Sequence, residues 1–346
     1  METDTQTNPP NPVNPTPSNV TTEICLLLPN CNFPARGIYA LKDTFEELFR
    51  MGKQFVKSPL QQTMKFLVHP FFWSLVFMII CGYWNGIFQV LTQKRFERWV
   101  KTHPQATDEI VIADVAFDVL PVLSISELPE TLSMIFIITT LIRFFLTPYR
   151  FVILRRYFFL QGVIYFIRGL CVFTTILPDP SGRKSTVNTN NILLEGFLVL
   201  LGVHRIECDM MFSGNAASMV ICACLWHHYS HRAPIFDFDI LGSTPSSTPY
   251  GYPLRMTIVK FAMWGFTLIC FVLYIMNRMH YIADIYIGFV FSLFLFKLYH
   301  NYILFCAIRN NFVNSFVKWF ESDAMDIPAV VRVPMEGISS SDAMSN

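Results

Sequence analysis

Six long apolar runs constrain this chain more than any other feature: Phe66 to Thr92, Glu130 to Thr147, Tyr157 to Leu177, Asp209 to His227, Thr257 to Asn277 and His280 to Leu304. Each comes close to the roughly 20 residues a helix needs to cross about 30 Å of hydrocarbon. Lipid offers no partner to backbone N–H and C=O groups, so such runs must close their hydrogen bonds internally as helices. The expected fold class is all-α, a polytopic membrane protein with six transmembrane helices. One more apolar piece, Ile192 to Val203, is shorter and interrupted by Glu195 and Gly196. It suits a re-entrant or interfacial segment.

With 53% hydrophobic against 15% charged residues and 34 Phe, the chain holds more apolar surface than an ordinary soluble enzyme of this size would cover. Its 26 Lys and Arg nearly balance 25 Asp and Glu, which gives a nucleic acid no electrostatic footprint. The nine cysteines contain no C-x-x-C pair and read as small buried hydrophobes.

Around the spans, residues 1–35 are rich in Pro, Asn and Thr and are expected to form a disordered cytosolic tail. They carry acids and prolines where a signal peptide would carry basic residues and an apolar run, so no cleavage is expected. Residues 36–65 form a juxtamembrane segment, in which Leu41, Phe45, Leu48, Phe49 and Phe55 recur near helical spacing, the pattern of an amphipathic helix lying on the membrane. Residues 66–305 make up the six-span domain and residues 306–346 a cytosolic tail. In that tail, Phe312, Phe316, Trp319 and Phe320 again mark a surface helix, beside Cys306, a candidate for palmitoylation whose plainer reading is an unmodified cysteine. Placing the N-terminus in the cytosol puts fifteen Lys and Arg on the cytosolic side and eight on the other, so both termini are expected to be cytosolic.

Ionisable residues inside spans are costly and mark functional candidates. Three clusters stand out. Asp209, Ser213, Gly214 and Asn215 open the fourth span, and His280, Tyr281 and Asp284 open the sixth. Arg155, Arg156 and Tyr157 lead into the third, which also carries Tyr165 and Arg168. The spacing of four puts His280 and Asp284 on one helical face, where a carboxylate fixes the imidazole tautomer and stabilises the imidazolium. By span parity the first two clusters begin on the same membrane side, so one luminal or extracellular pocket can unite them. Structural alternatives stand beside these readings. A His/Asp pair also serves as a helix cap, the small residues after Ser213 also serve helix packing, and Arg155 and Arg156 sit where cytosolic charge belongs.

Three blocks in this order, RRYFFLQGVIYFIRGLCVFTTILP (Arg155 to Pro178), DMMFSGN (Asp209 to Asn215) and HYIADIYIG (His280 to Gly288), followed by Tyr299 and His300, resemble the sphingomyelin synthase family, whose core belongs with the lipid phosphate phosphatases. The resemblance covers Phe66 to Tyr302. It implies transfer of phosphocholine from phosphatidylcholine to ceramide, giving sphingomyelin and diacylglycerol through a phosphohistidine intermediate. The membrane would be that of the Golgi or the plasma membrane, with the site facing the lumen or the exterior. The resemblance casts His280 as nucleophile and Asp284 as its orienting partner. Asp209, Ser213, the Gly214 amide, Arg156, Tyr165, Arg168 and Tyr281 become the substrate-binding shell, with aromatics such as Tyr157, Tyr165 and Tyr281 offered to the quaternary ammonium. No cofactor and no metal are implied. A large N-terminal helical module, the mark of one ethanolamine-transferring relative, is absent, so choline is the expected head group.

The chain departs from the family pattern C-G-D-x-x-x-S-G-H by reading Glu207-Cys208-Asp209 and then Ser213-Gly214-Asn215, and the family's Pro-Leu-Pro-Asp segment survives only around Asp118 to Leu123. Asn215 stands where the family places the histidine that shuttles protons. An amide cannot do so, and losing a general acid/base costs roughly 10² to 10⁴ in rate. The resemblance with this departure implies either impaired transfer or a catalytically dead relative that binds or regulates sphingolipids. His227 and His228 lie roughly 18 Å further along the fourth span at 1.5 Å per residue. His204 is the remaining candidate on the site's side.

Overall fold

The computed structural model describes residues 33–103, 112–123, 125, 127–147, 150–229, 254–306 and 312–322. The expected disordered tail, apart from its last residues, the loop carrying Asp237 and Asp239, and the end of the C-terminal tail lie outside the described residues. Among those described, the regular structure is helical: α1 (Phe33–Lys57), α2 (Pro59–Val68), α3 (Pro70–Thr102), α4 (Val115–Val119), α5 (Leu128–Phe145), α6 (Arg150–Thr174), α7 (Ile192–Leu200), α8 (Gly214–Tyr229), α9 (Leu254–Met276), α10 (Ile282–Cys306) and α11 (Phe312–Phe320). No strand occurs among them, and an isolated parallel bridge joins Leu177 to Asp209.

Five helices are long and apolar enough to cross a membrane, namely α3, α5, α6, and the stretches Ile258–Met276 of α9 and Ile282–Ile303 of α10. The chain is a multi-pass membrane protein. The expected fourth span differs. Its described helix starts at Gly214 rather than Asp209. This helix is also the buried centre of the bundle, with Ala216 through Trp226 covered on every side by α5, α6, α9 and α10. A helix shielded from lipid by protein does not need the uniform apolarity of a lipid-facing span, and the buried Ser218 is carried there.

The other boundaries shift for local reasons. α3 starts at Pro70, preorganised for a first turn and capped by His69, whose Nδ1 accepts from Phe71 N at 3.1 Å. It continues ten residues past Thr92 because nothing breaks it before the His103-Pro104 step, where helical backbone is disfavoured. The longest packing seam runs between α3 and α6, and α7 lies along α3 in turn. That second contact is a backbone approach: a Cβ on Gly86 would collide with the carbonyl oxygen of Gly196. The short apolar piece read as re-entrant is thus a nine-residue helix clamped to the first span.

The amphipathic helix expected over Leu41 to Phe55 lies within α1, and Phe33 to Ala35, assigned to the tail, belong to it too. Thr44 Oγ1 donates to Leu146 O at 3.3 Å and Glu47 pairs with the buried Arg150 at 3.0 Å, which docks α1 on the bundle while Phe45, Phe49 and Phe55 stay exposed.

Candidate active site

The loop before α8 and the hairpin before α10 meet at one end of the bundle. Ser213 is the N-cap of α8, its Oγ accepting from Ala216 N at 3.3 Å. Its own N–H donates to Asp284 O, also at 3.3 Å, which binds the two helix starts together. Gly288, one turn into α10, lets this happen, because a Cβ there would stand 2.9 Å from Ser213 O. Asp114 ties in α4 as well, accepting from Ala116 N through one oxygen at 2.9 Å and from Ile282 N through the other at 2.8 Å.

His280 stands at this junction. Its Nδ1 lies 2.7 Å from Asp284 Oδ2 and its Nε2 3.3 Å from Ser213 Oγ. The contact to a buried carboxylate puts the neutral ring's proton on Nδ1 and leaves a lone pair on Nε2. Burial alone would push the imidazole pKa down, but the Asp284 carboxylate outweighs it and the net shift is upward. The ring is therefore oriented as a nucleophile and stabilised as a cation.

A cavity of about 370 Å³ opens in front of it, lined in part by Tyr165, Arg168, Asp209, Gly214 and Asn215. Arg168, from the third span, is the hub. Its Nη2 bonds Asp209 Oδ2 at 2.6 Å, its Nη1 bonds Asn85 Oδ1 at 3.2 Å and its Nε bonds Phe212 O at 2.9 Å. Gln89 donates through Nε2 to the same Asp209 oxygen at 2.5 Å and accepts from Asn85 Nδ2 through Oε1 at 3.2 Å. Gln93 completes the α3 contribution by accepting from Glu207 N and Cys208 Sγ, at 3.2 and 3.3 Å. Arg183, Lys184 and Arg205 stand at the cavity with Glu130 and Asp179, Arg183 bridging both acids at 3.2 and 3.1 Å.

Most of the residues singled out from sequence converge here, but Arg155, Arg156, Tyr157 and Tyr281 do not. Arg156 was expected in the substrate shell, yet it lies roughly 18 Å from Arg168 along α6. There its guanidinium is taken up by Glu321 and by Tyr229 Oη, at 2.7 Å each. Arg155 pairs with the same Glu321 at 3.0 Å, so the two arginines are buried ion-pair partners of the C-terminal segment and not exposed cytosolic charges. Tyr281 points away from the cavity: its Oη accepts from Ile112 N at 3.3 Å and its ring packs on Phe117. Tyr157 is buried in the core and does not line the cavity.

Sequence reading missed the amide row Asn85, Gln89 and Gln93. Its spacing of four in an otherwise apolar span is a signal that could have been read. His204 does reach the cavity, held by Glu195 of α7 at 2.5 Å.

An apolar helical bundle thus holds a carboxylate-oriented histidine over a cationic, partly polar cavity, an arrangement that suits phosphoryl transfer. Residues 207–301, which span both halves of this site, match the family model described as PAP2 superfamily C-terminal. No curated protein matches the chain.

Proposed function

We propose that this protein is a phosphatidylcholine:ceramide cholinephosphotransferase of the sphingomyelin synthase type. The observation that carries the reading is the His280–Asp284 pair with Nε2 turned to Ser213 at a cavity that also holds Arg168. Phosphoryl transfer needs little from a protein beyond a positioned nucleophile and cationic groups on the non-bridging oxygens. Here His280 Nε2 attacks the phosphorus of phosphatidylcholine and diacylglycerol leaves. The ceramide primary hydroxyl then displaces the phosphocholine from His280. Arg168 and the first-turn N–H groups of α8, at Gly214 and Asn215, are offered to the phosphate. Asp209 fixes Arg168, Ser213 caps α8 beside Nε2, and Tyr165 offers a ring to the trimethylammonium group. The site faces the lumen or exterior of the Golgi or plasma membrane, with both termini cytosolic.

Transfer from labelled phosphatidylcholine to ceramide, in membranes free of sphingomyelin and with phosphatidylethanolamine as second donor, tests the reading. His280→Ala should abolish transfer and Asp284→Ala should reduce it severely at matched protein level. A second reading, a sphingolipid-binding relative without turnover, draws on Asn215, which lines the cavity within hydrogen-bond reach of Tyr274 and cannot carry a proton. Folded protein that binds ceramide but transfers from neither donor would establish that reading and overturn the first.

A further inference from the structure

Two imidazoles face the same cavity, and only one has been given a task. His204 follows the left-handed turn at Gly202 and is about one quarter exposed, while Glu195, 5% exposed, sits in the middle of α7. Glu195 Oε2 and His204 Nδ1 are 2.5 Å apart. This is the partner that the buried carboxylate has among the described residues, and His204 Nε2 has no protein partner there. The arrangement repeats the logic of His280 and Asp284: a buried carboxylate holds Nδ1 and leaves Nε2 for the cavity.

We propose that His204, positioned by Glu195, is the general acid and base of the phosphotransfer, in place of a group at Asn215. The inference rests on the phosphotransferase reading above. In the first half-reaction the His280 Nε2–phosphorus bond forms and the phosphorus–oxygen bond to the glycerol breaks. The leaving alkoxide takes the proton from Nε2 of the His204 imidazolium, which the Glu195 carboxylate stabilises. In the second, neutral His204 Nε2 takes the proton of the ceramide hydroxyl as its oxygen bonds phosphorus and the phosphorus–His280 bond breaks. Both imidazoles return to their starting states. An alkoxide is too basic to depart unprotonated at a useful rate, so a proton donor is needed somewhere on this cavity. Asn215 cannot supply it, and Arg168, Arg183 and Arg205 hold their protons too tightly.

Leaving-group chemistry tests this. With phosphatidylcholine as donor, His204→Gln should lower transfer by roughly 10² to 10⁴. Glu195→Gln, which acts through His204, should lower it less. With p-nitrophenyl phosphocholine, whose leaving group departs as the anion, the first-turnover burst of His204→Gln should equal that of wild type, because His280 and its cavity are intact. Adding Asn215→His to His204→Gln should restore much of the transfer from phosphatidylcholine. Wild-type transfer by His204→Gln, or equal losses with both donors, would overturn the proposal and leave the phosphotransferase reading standing. Neither burst nor transfer in wild type would overturn both.

Discussion

Arg168 makes three hydrogen bonds to three different acceptors through three different nitrogens, and no other cation can reproduce that fork. Arg168→Lys keeps the charge but strands Asn85 and the Phe212 carbonyl. It is expected to cut turnover at least about tenfold while costing roughly 1–3 kcal/mol of stability, the usual range for buried groups left unpaired. Thermal melts and transfer rates on the same preparation check both parts. His280 supplies a second residue-scale expectation. Its pKa is raised, and the nucleophile must be neutral, so the rising limb of the pH–rate profile should lie above the ordinary imidazole value of about 6.5. Asp284→Asn removes the charge that raises it and should move that limb to lower pH, even as the maximal rate falls. The same proton adds stability below the unfolded-state pKa that is lost as pH rises through the folded one, so protein stability and turnover should respond to pH in opposite senses there. The His280/Asp284 pair was legible from its spacing, but the two do not share a helical face: α10 begins at Ile282, and His280 reaches Asp284 from the turn before it. Asn85 and Gln89 were not, since an amide inside an apolar run carries no charge to draw attention and its partner, Asp209, lies more than a hundred residues away. Arg156 misled for the converse reason: a charge entering a span looks the same whether it awaits a ligand or a partner from the far end of the chain.

At the scale of elements, α11 is held by that partner. Glu321 accepts from Arg155, from Arg156 and from Tyr299 Oη at 2.5 Å, joining α6 and α10 to the C-terminal segment. Burial alone would raise its pKa, but the two arginines hold it below the ordinary carboxylate value. Glu321→Ala would take this shared carboxylate from two buried guanidiniums and should destabilise the protein by about 3–5 kcal/mol, read as a drop in melting temperature. In wild type the pair's contribution should fade as pH drops through the lowered pKa. The helices themselves were visible as apolar runs, and their ends moved wherever capping governed them. The burial of α8 was not legible, because apolarity alone does not tell whether lipid or protein covers a helix. α7 was recognised as too short to cross, while the Gly86–Gly196 approach that holds it to α3 depends on two residues far apart in sequence.

For the molecule as a whole, the topology expected from the distribution of Lys and Arg places both termini on the cytosolic side. Single cysteines introduced at residue 10 and beside Lys184 should be labelled from opposite faces of sealed vesicles by an impermeant maleimide, and labelling of both from one face would refute the arrangement. The central position of α8 bears on how the protein is made. This helix is covered partly by α9 and α10, which are synthesised after it. Its partition into the bilayer cannot be settled as it leaves the ribosome and must await later parts of the chain. Chains ended after residue 253 should therefore fail to retain α8 across the membrane in a glycosylation-reporter assay, whereas chains ended after residue 311 should retain it. Biogenesis is then a wrapping event, in which the helix at the centre of the bundle becomes committed only when those that surround it have followed.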